Sequence, residues 1–130
     1  MSARDDAFSR TPRGRYRLLR YHARRLGVEL LIDFDTYVEL ISAGCAYCGF
    51  PLAETGRGLD RKEPRGDYSV ENVVASCGEC NAFKNALFTH EEMLVIGRAV
   101  AEVKAARTGP HTYRRGEHAR RRNPDDATPE

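Results

Sequence analysis

The sequence predicts a small α+β domain, with helices towards both ends and a turn-rich, strand-bearing segment between them. Three observations carry this. Helical periodicity runs through residues 13–26, a second helical pattern begins after Asp33, and a third opens at Thr89. Between them, residues 45–80 are crowded with turn residues ("CGFPL", "TGRG", "EPRGD") and hold only short β-prone runs. All four cysteines bound that segment, as two Cys-x-x-Cys pairs.

Residues 1–12 are polar and include Pro12, so they read as a disordered start. In "RGRYRLLRYHARRL" (13–26), a turn of about 100° per residue places Leu18, Leu19, His22, Ala23 and Leu26 on one face. Arg13, Arg17, Arg20 and Arg24 fall in a stripe on the opposite face, free to meet an anion. His22 reads as a packed histidine, and Gly27 supplies the stop. "VELLID" (28–33) is compatible with a strand or a short extended link. Asp33 is the expected N-cap of a helix over "FDTYVELIS" that ends near Gly44.

Short strands fit around Leu59–Lys62 and Val73–Ala75, and a short helix is expected to start at the second cysteine pair, in "CNAFKNAL". Thr89, followed three residues later by Glu92, has the form of a capping box. Met93, Ile96, Val100 and Val103 line one face of the helix it opens. Gly97 within that helix weakens it by about 1 kcal/mol relative to Ala. Gly109-Pro110 ends the helix, and residues 109–130 read as a disordered charged tail. The folded domain is therefore expected over residues 13–108.

The net charge of +2 conceals an asymmetry. Residues 1–27 carry eight Arg against two Asp, residues 28–103 carry six basic against thirteen acidic side chains, and residues 104–130 carry seven against four. Basic flanks on an acidic centre fit contact with a polyanion or plain solubilising ends. No apolar run approaches the roughly 20 residues that span a bilayer. "MSARDDAFSR" lacks the apolar stretch of a signal peptide, so a cytoplasmic protein is expected, with no membrane partner.

Cys45, Cys48, Cys77 and Cys80 have the spacing of a structural Zn²⁺ site, in which each Cys-x-x-Cys turn offers two thiolates about 2.3 Å from the metal. Disulfides are the rival, disfavoured in a reducing compartment. Four thiolates leave no open position, so the ion is a staple. Tyr47 and Phe83 are expected to pack around this knuckle.

With the cysteines in place, "CAYCG", "GLDRKEP", "GDYSVENVVASC" and "CGECNAFKN" together resemble the HNH endonuclease family, over roughly residues 15–105. The resemblance implies a ββα-metal core with two helices before it and one after. Its first strand typically carries Asp-His-x-x-Pro, matched here by Asp60, Arg61 and Pro64. Asn72 in "ENVV" matches the middle Asn, and Asn81 in "CNAFK" matches the last metal-binding position. "LDR" resembles a phage-type subgroup with Asp-Arg in place of Asp-His. By this resemblance Asp60 and Asn81 would hold a divalent ion such as Mg²⁺, Asn72 would tie the intervening loop, and Lys84 would meet a phosphate of DNA, with RNA also possible.

Arg61 is the departure, because the family places its general-base His there and a guanidinium stays protonated. Three outcomes are open. Glu63, two residues on and so on the same strand face, serves as base; His90, at a helix start, is a weaker candidate. Alternatively, water attacks without a dedicated base while Arg61 clamps the phosphate. Or the scaffold binds nucleic acid without cleaving it. A protein-interaction module that offers its Arg helix to an acidic partner is a more distant alternative.

Overall fold

The computed structural model describes residues 7–85 and 87–108. The expected tail from residue 109, with His111 and His118, lies outside the described residues, as do the first six residues. In chain order the elements are α1 (Pro12–Leu26), α2 (Phe34–Ser42), β1 (Leu59–Arg61), a 3-10 turn (Val70–Asn72), β2 (Val73–Ala75), α3 (Gly78–Lys84) and α4 (His90–Ala105). The strands pair antiparallel, Leu59 opposite Ala75, Asp60 opposite Val74 and Arg61 opposite Val73. This is the expected α+β class: two helices, a ββα unit, and a final helix.

The caps are formed by the residues that local chemistry points to. Asp33 accepts from the Thr36 amide at 2.8 Å, and Thr89 with Glu92 forms the reciprocal pair of bonds at 3.0 and 2.9 Å. Thr11 caps α1 through the Gly14 amide, with Pro12 in the first turn, where a missing N–H costs nothing. The "VELLID" segment is an extended link that makes one parallel bridge, Leu30 to Tyr68.

The two-stranded sheet separates two apolar clusters. Leu59 and Val73 face Leu19, Ala23, Ile32, Tyr37 and Tyr68. Val74, pointing the other way, packs against a cluster formed by the four cysteines, Tyr47 and Met93. Tyr37 is fully buried, and that burial pushes its phenol pKa up to about 12. Its hydroxyl donates to the Arg57 carbonyl at 2.6 Å.

Two expected faces shift. On α1 the buried set is Gly14, Arg15, Leu19 and Ala23, while Leu18 and Leu26 are exposed. The cause is Arg15, which turns inward and donates from Nε to the Gly56 carbonyl at 2.9 Å, rotating the docked face away from Leu18. On α4, Met93 is buried and Ile96 and Val100 pack beside it, but Val103 is exposed. Gly97 also lies on the packed face. A Cβ at Gly97 would overlap the backbone of Tyr47, so the glycine is where the cysteine knuckle rests on α4.

Candidate functional site

The first cysteine pair occupies the turn after α2, and the second brackets the start of α3, with Cys77 as its N-cap. The packing of sheet, α3 and α4 brings all four sulfurs within 4.8 Å of one another, every cysteine buried. Tetrahedral thiolates about 2.3 Å from an ion stand roughly 3.8 Å apart, and the Cys48 and Cys77 sulfurs are 3.8 Å apart. That spacing is far beyond a disulfide bond of about 2.05 Å, and the cysteines are free. The site therefore fits a metal ion.

Hydrogen bonds from Cys77 and Cys80 pull the Cys45 thiol well below its ordinary range, while the bonds to Cys45 and Cys77 push Cys80 up. Four sulfurs this close cannot all be thiolates unless a cation sits among them. Lys104 on α4 donates to the sulfurs of Cys77 at 3.1 Å and Cys48 at 3.3 Å. Burial pulls its ammonium pKa down, but the bonds to Glu79 and Cys77 outweigh this and hold it above the ordinary lysine value. Lys104 therefore offsets thiolate charge. Sequence reasoning missed it, since it lies 27 residues from its nearer sulfur partner in the chain.

Asp60 sits on the sheet face directed at this cluster and is only 7% exposed. Its Oδ2 accepts from the Tyr47 hydroxyl at 2.6 Å and pairs with the Lys84 ammonium at 3.5 Å. Burial, followed by the bond to Asp60, raises the Tyr47 phenol well above its normal pKa. His90, the first residue of α4, brings Nδ1 within 3.0 Å of the same hydroxyl. Tyr47 thus packs in the knuckle as expected, with a polar role its position in the turn did not announce. Phe83 does not pack there: it is half exposed and stacks on Phe88 at 5.3 Å.

The other expected site residues fall in several places. Lys84 is corrected most. Instead of projecting to a phosphate it is 1% exposed, held by Asp60 and by the Arg61 carbonyl at 3.3 Å. Four residues separate it from Cys80, so the turn that buries the sulfur buries the ammonium too. Arg61 points to the opposite sheet face, donating from Nη1 to the Gly66 carbonyl at 2.8 Å, with its guanidinium 5.1 Å over the Tyr68 ring. The strand stops at Arg61, so Glu63 lies in an exposed turn and the strand alternation expected to align it with Arg61 does not reach it.

Asn72 ties its loop: its side chain accepts from the Glu63 amide and donates to the carbonyls of Glu63 and Asp67. Asn81 lines an open cleft of about 630 Å³ together with Arg15, Arg57, Lys104 and Arg107; Asp60 is not among its lining residues. Arg13, Arg17, Arg20 and Arg24 are placed on α1 outside its buried set. Arg13 lies 4.1 Å over the Phe34 ring, Arg20 5.3 Å over Tyr16 and Arg17 6.0 Å over Phe8, so aromatic neighbours steady the stripe.

Two helices followed by a ββα unit, with one cysteine pair before its strands and the other at the start of its helix, make an HNH-like fold. A solved structure of the rare-cutting HNH restriction endonuclease PacI superposes with a TM-score of 0.61 at 24% identity, over 72% of this chain and 78% of that one. An uncharacterized protein of Acanthamoeba polyphaga mimivirus is 31% identical over 61 residues, 47% of this chain. The chain spans 12% of that relative's length. No family model matches the sequence. Among the described residues, no helix is long and apolar enough to cross a membrane.

Proposed function

We propose that the chain is an HNH-type, metal-dependent endonuclease that hydrolyses phosphodiester bonds in DNA, of the subgroup with Asp-Arg in place of Asp-His. One observation carries the reading: a buried carboxylate, Asp60, is fixed on the first strand of a ββα unit by Tyr47 and Lys84. Both donors bind Oδ2, which leaves Oδ1 for a cation. Zn²⁺ on Cys45, Cys48, Cys77 and Cys80 is the staple. Mg²⁺ or a similar ion would be held by the hard carboxylate oxygen of Asp60; the resemblance implies the amide oxygen of Asn81 as a second donor, although Asn81 lines a cleft to which Asp60 does not contribute. When bound, such an ion supplies positive charge for the leaving 3′-oxygen. Lys84 fixes the rotamer of Asp60, Asn72 holds the loop between the strands, and Arg13, Arg17, Arg20 and Arg24 meet the phosphate backbone.

Plasmid cleavage with Mg²⁺ or Mn²⁺ is the test. The unmodified protein is expected to nick or linearise the plasmid only with metal, and Asp60→Asn to lose that activity while keeping its zinc. Equal cutting by the variant would remove Asp60 from the chemistry.

Arg61 favours a second reading. Its guanidinium is committed to Gly66 and Tyr68, so position 61 offers no base, and a scaffold that binds DNA or RNA without cutting fits the Arg stripe equally well. In either case, Arg17→Ala, Arg20→Ala and Arg24→Ala combined should weaken duplex binding. The slope of log affinity against log salt should fall by about one unit for each phosphate no longer neutralised. Anisotropy titrations at several salt concentrations measure it, with circular dichroism to check that α1 persists. An unchanged slope would leave the stripe as a solvated face.

A further inference from the structure

We infer that His90 is the general base that the sequence lacks at position 61, an inference that rests on the endonuclease reading. A single proton decides its state. The Tyr47 hydroxyl has one hydrogen, and at 2.6 Å from Oδ2 of Asp60 that hydrogen is committed to the carboxylate. Oδ2 can only accept, and it is already paired with Lys84. Tyr47 Oη also lies 3.0 Å from Nδ1 of His90. Having no second proton, it can only accept there, so His90 carries its hydrogen on Nδ1. With that hydrogen on Nδ1, the basic lone pair of the ring is the one on Nε2, on a side chain that is only half-buried.

The chain of Asp60, Tyr47 and His90 therefore performs one task that an orienting carboxylate performs for a catalytic histidine: it fixes the tautomer and the orientation of the ring. Rival bases among the described residues are placed elsewhere. Arg61 faces the other side of the sheet, Glu63 lies in an exposed turn, and His22 is on α1, where burial and then Arg57 and Arg61 lower its pKa.

In the step, a water oxygen bonds to phosphorus as the P–O3′ bond breaks. The proton of the water passes to Nε2 of His90, and the leaving 3′-oxygen is protonated from solvent. The imidazolium later returns its proton to water, so no other reactant is consumed.

The test separates a base from a mere hydrogen-bond donor. His90→Asn retains an N–H that can serve Tyr47 but has no basic nitrogen. Its kcat on plasmid DNA should fall by about 10²–10⁴-fold with KM and zinc content unchanged, and added imidazole should restore part of the activity of His90→Ala. Independently of cleavage, ¹⁵N spectra of the ring should show a protonated Nδ1 and a bare Nε2. Full activity in His90→Asn, beside a dead Asp60→Asn, would overturn this inference and leave the endonuclease reading standing. A proton found on Nε2 would overturn it on structural grounds. No cleavage by the unmodified protein under any divalent metal would bring down both.

Discussion

Stripping the metal ion that the four cysteines are placed to hold is expected to unfold the domain instead of merely loosening it. Among the described residues, the cluster beneath α4 contains Tyr47 and Met93 as its buried members besides the cysteines. Without a metal, four buried sulfurs beside the Lys104 ammonium would have to be held by the partly buried apolar side chains around them, such as Val74, Ile96 and Val100. Structural zinc sites contribute roughly 10–16 kcal/mol of apparent binding energy, against a total stability of about 5–15 kcal/mol for an ordinary domain. Chelator titration followed by circular dichroism, and the paired change Cys77→Ser with Cys80→Ser, should each abolish the cooperative melt. Elemental analysis should find one zinc per chain. A metal-free protein with an unchanged melting curve would mean that the knuckle is held by packing alone.

The second large effect is expected at Lys84. Replacing it with Ala should cost about 3–5 kcal/mol, the usual loss when one partner of a buried ion pair is removed. Lys84 is 1% exposed and its partner Asp60 7%, so solvent cannot step in for the missing ammonium. Asp60 would retain only the Tyr47 hydroxyl. Urea denaturation of Lys84→Ala, Asp60→Asn and the double variant tests this. The double variant should be more stable than additivity predicts, because neutralising Asp60 removes the unpaired charge that Lys84→Ala leaves behind. Strict additivity would show that the two side chains do not interact.

Much that depended on residues close in sequence was legible beforehand, though the Thr11 cap and the end of β1 before Glu63 were not. Asp33 and Thr89 announced their helices because a cap and its amide lie three residues apart, and the cysteine tetrad announced a metal because two sulfurs of each pair share one turn. What stayed hidden involved distant parts of the chain meeting. Arg15 turns inward to a carbonyl 41 residues away, which rotates α1 on its axis. Tyr47 and His90 meet across 43 residues, so the hydrogen bond between them had no signature in either segment. The burial of Lys84 has a related cause: its ammonium is held by Asp60, which lies on β1, well before it in the chain.

Gly97 bears on how far this chain can drift in sequence. Helix-forming tendency alone would favour alanine there, by about 1 kcal/mol, yet a single methyl would strike the main chain of Tyr47. Main chain cannot be trimmed by a compensating substitution as a side chain can. A descendant that gains any side chain at this position must lift the knuckle from the helix, and in doing so separate the phenol from the imidazole that begins the same helix. The absent methyl thus sets the spacing between knuckle and helix, and a survey of variants selected for a cooperative fold should return glycine at 97 more consistently than any surface arginine.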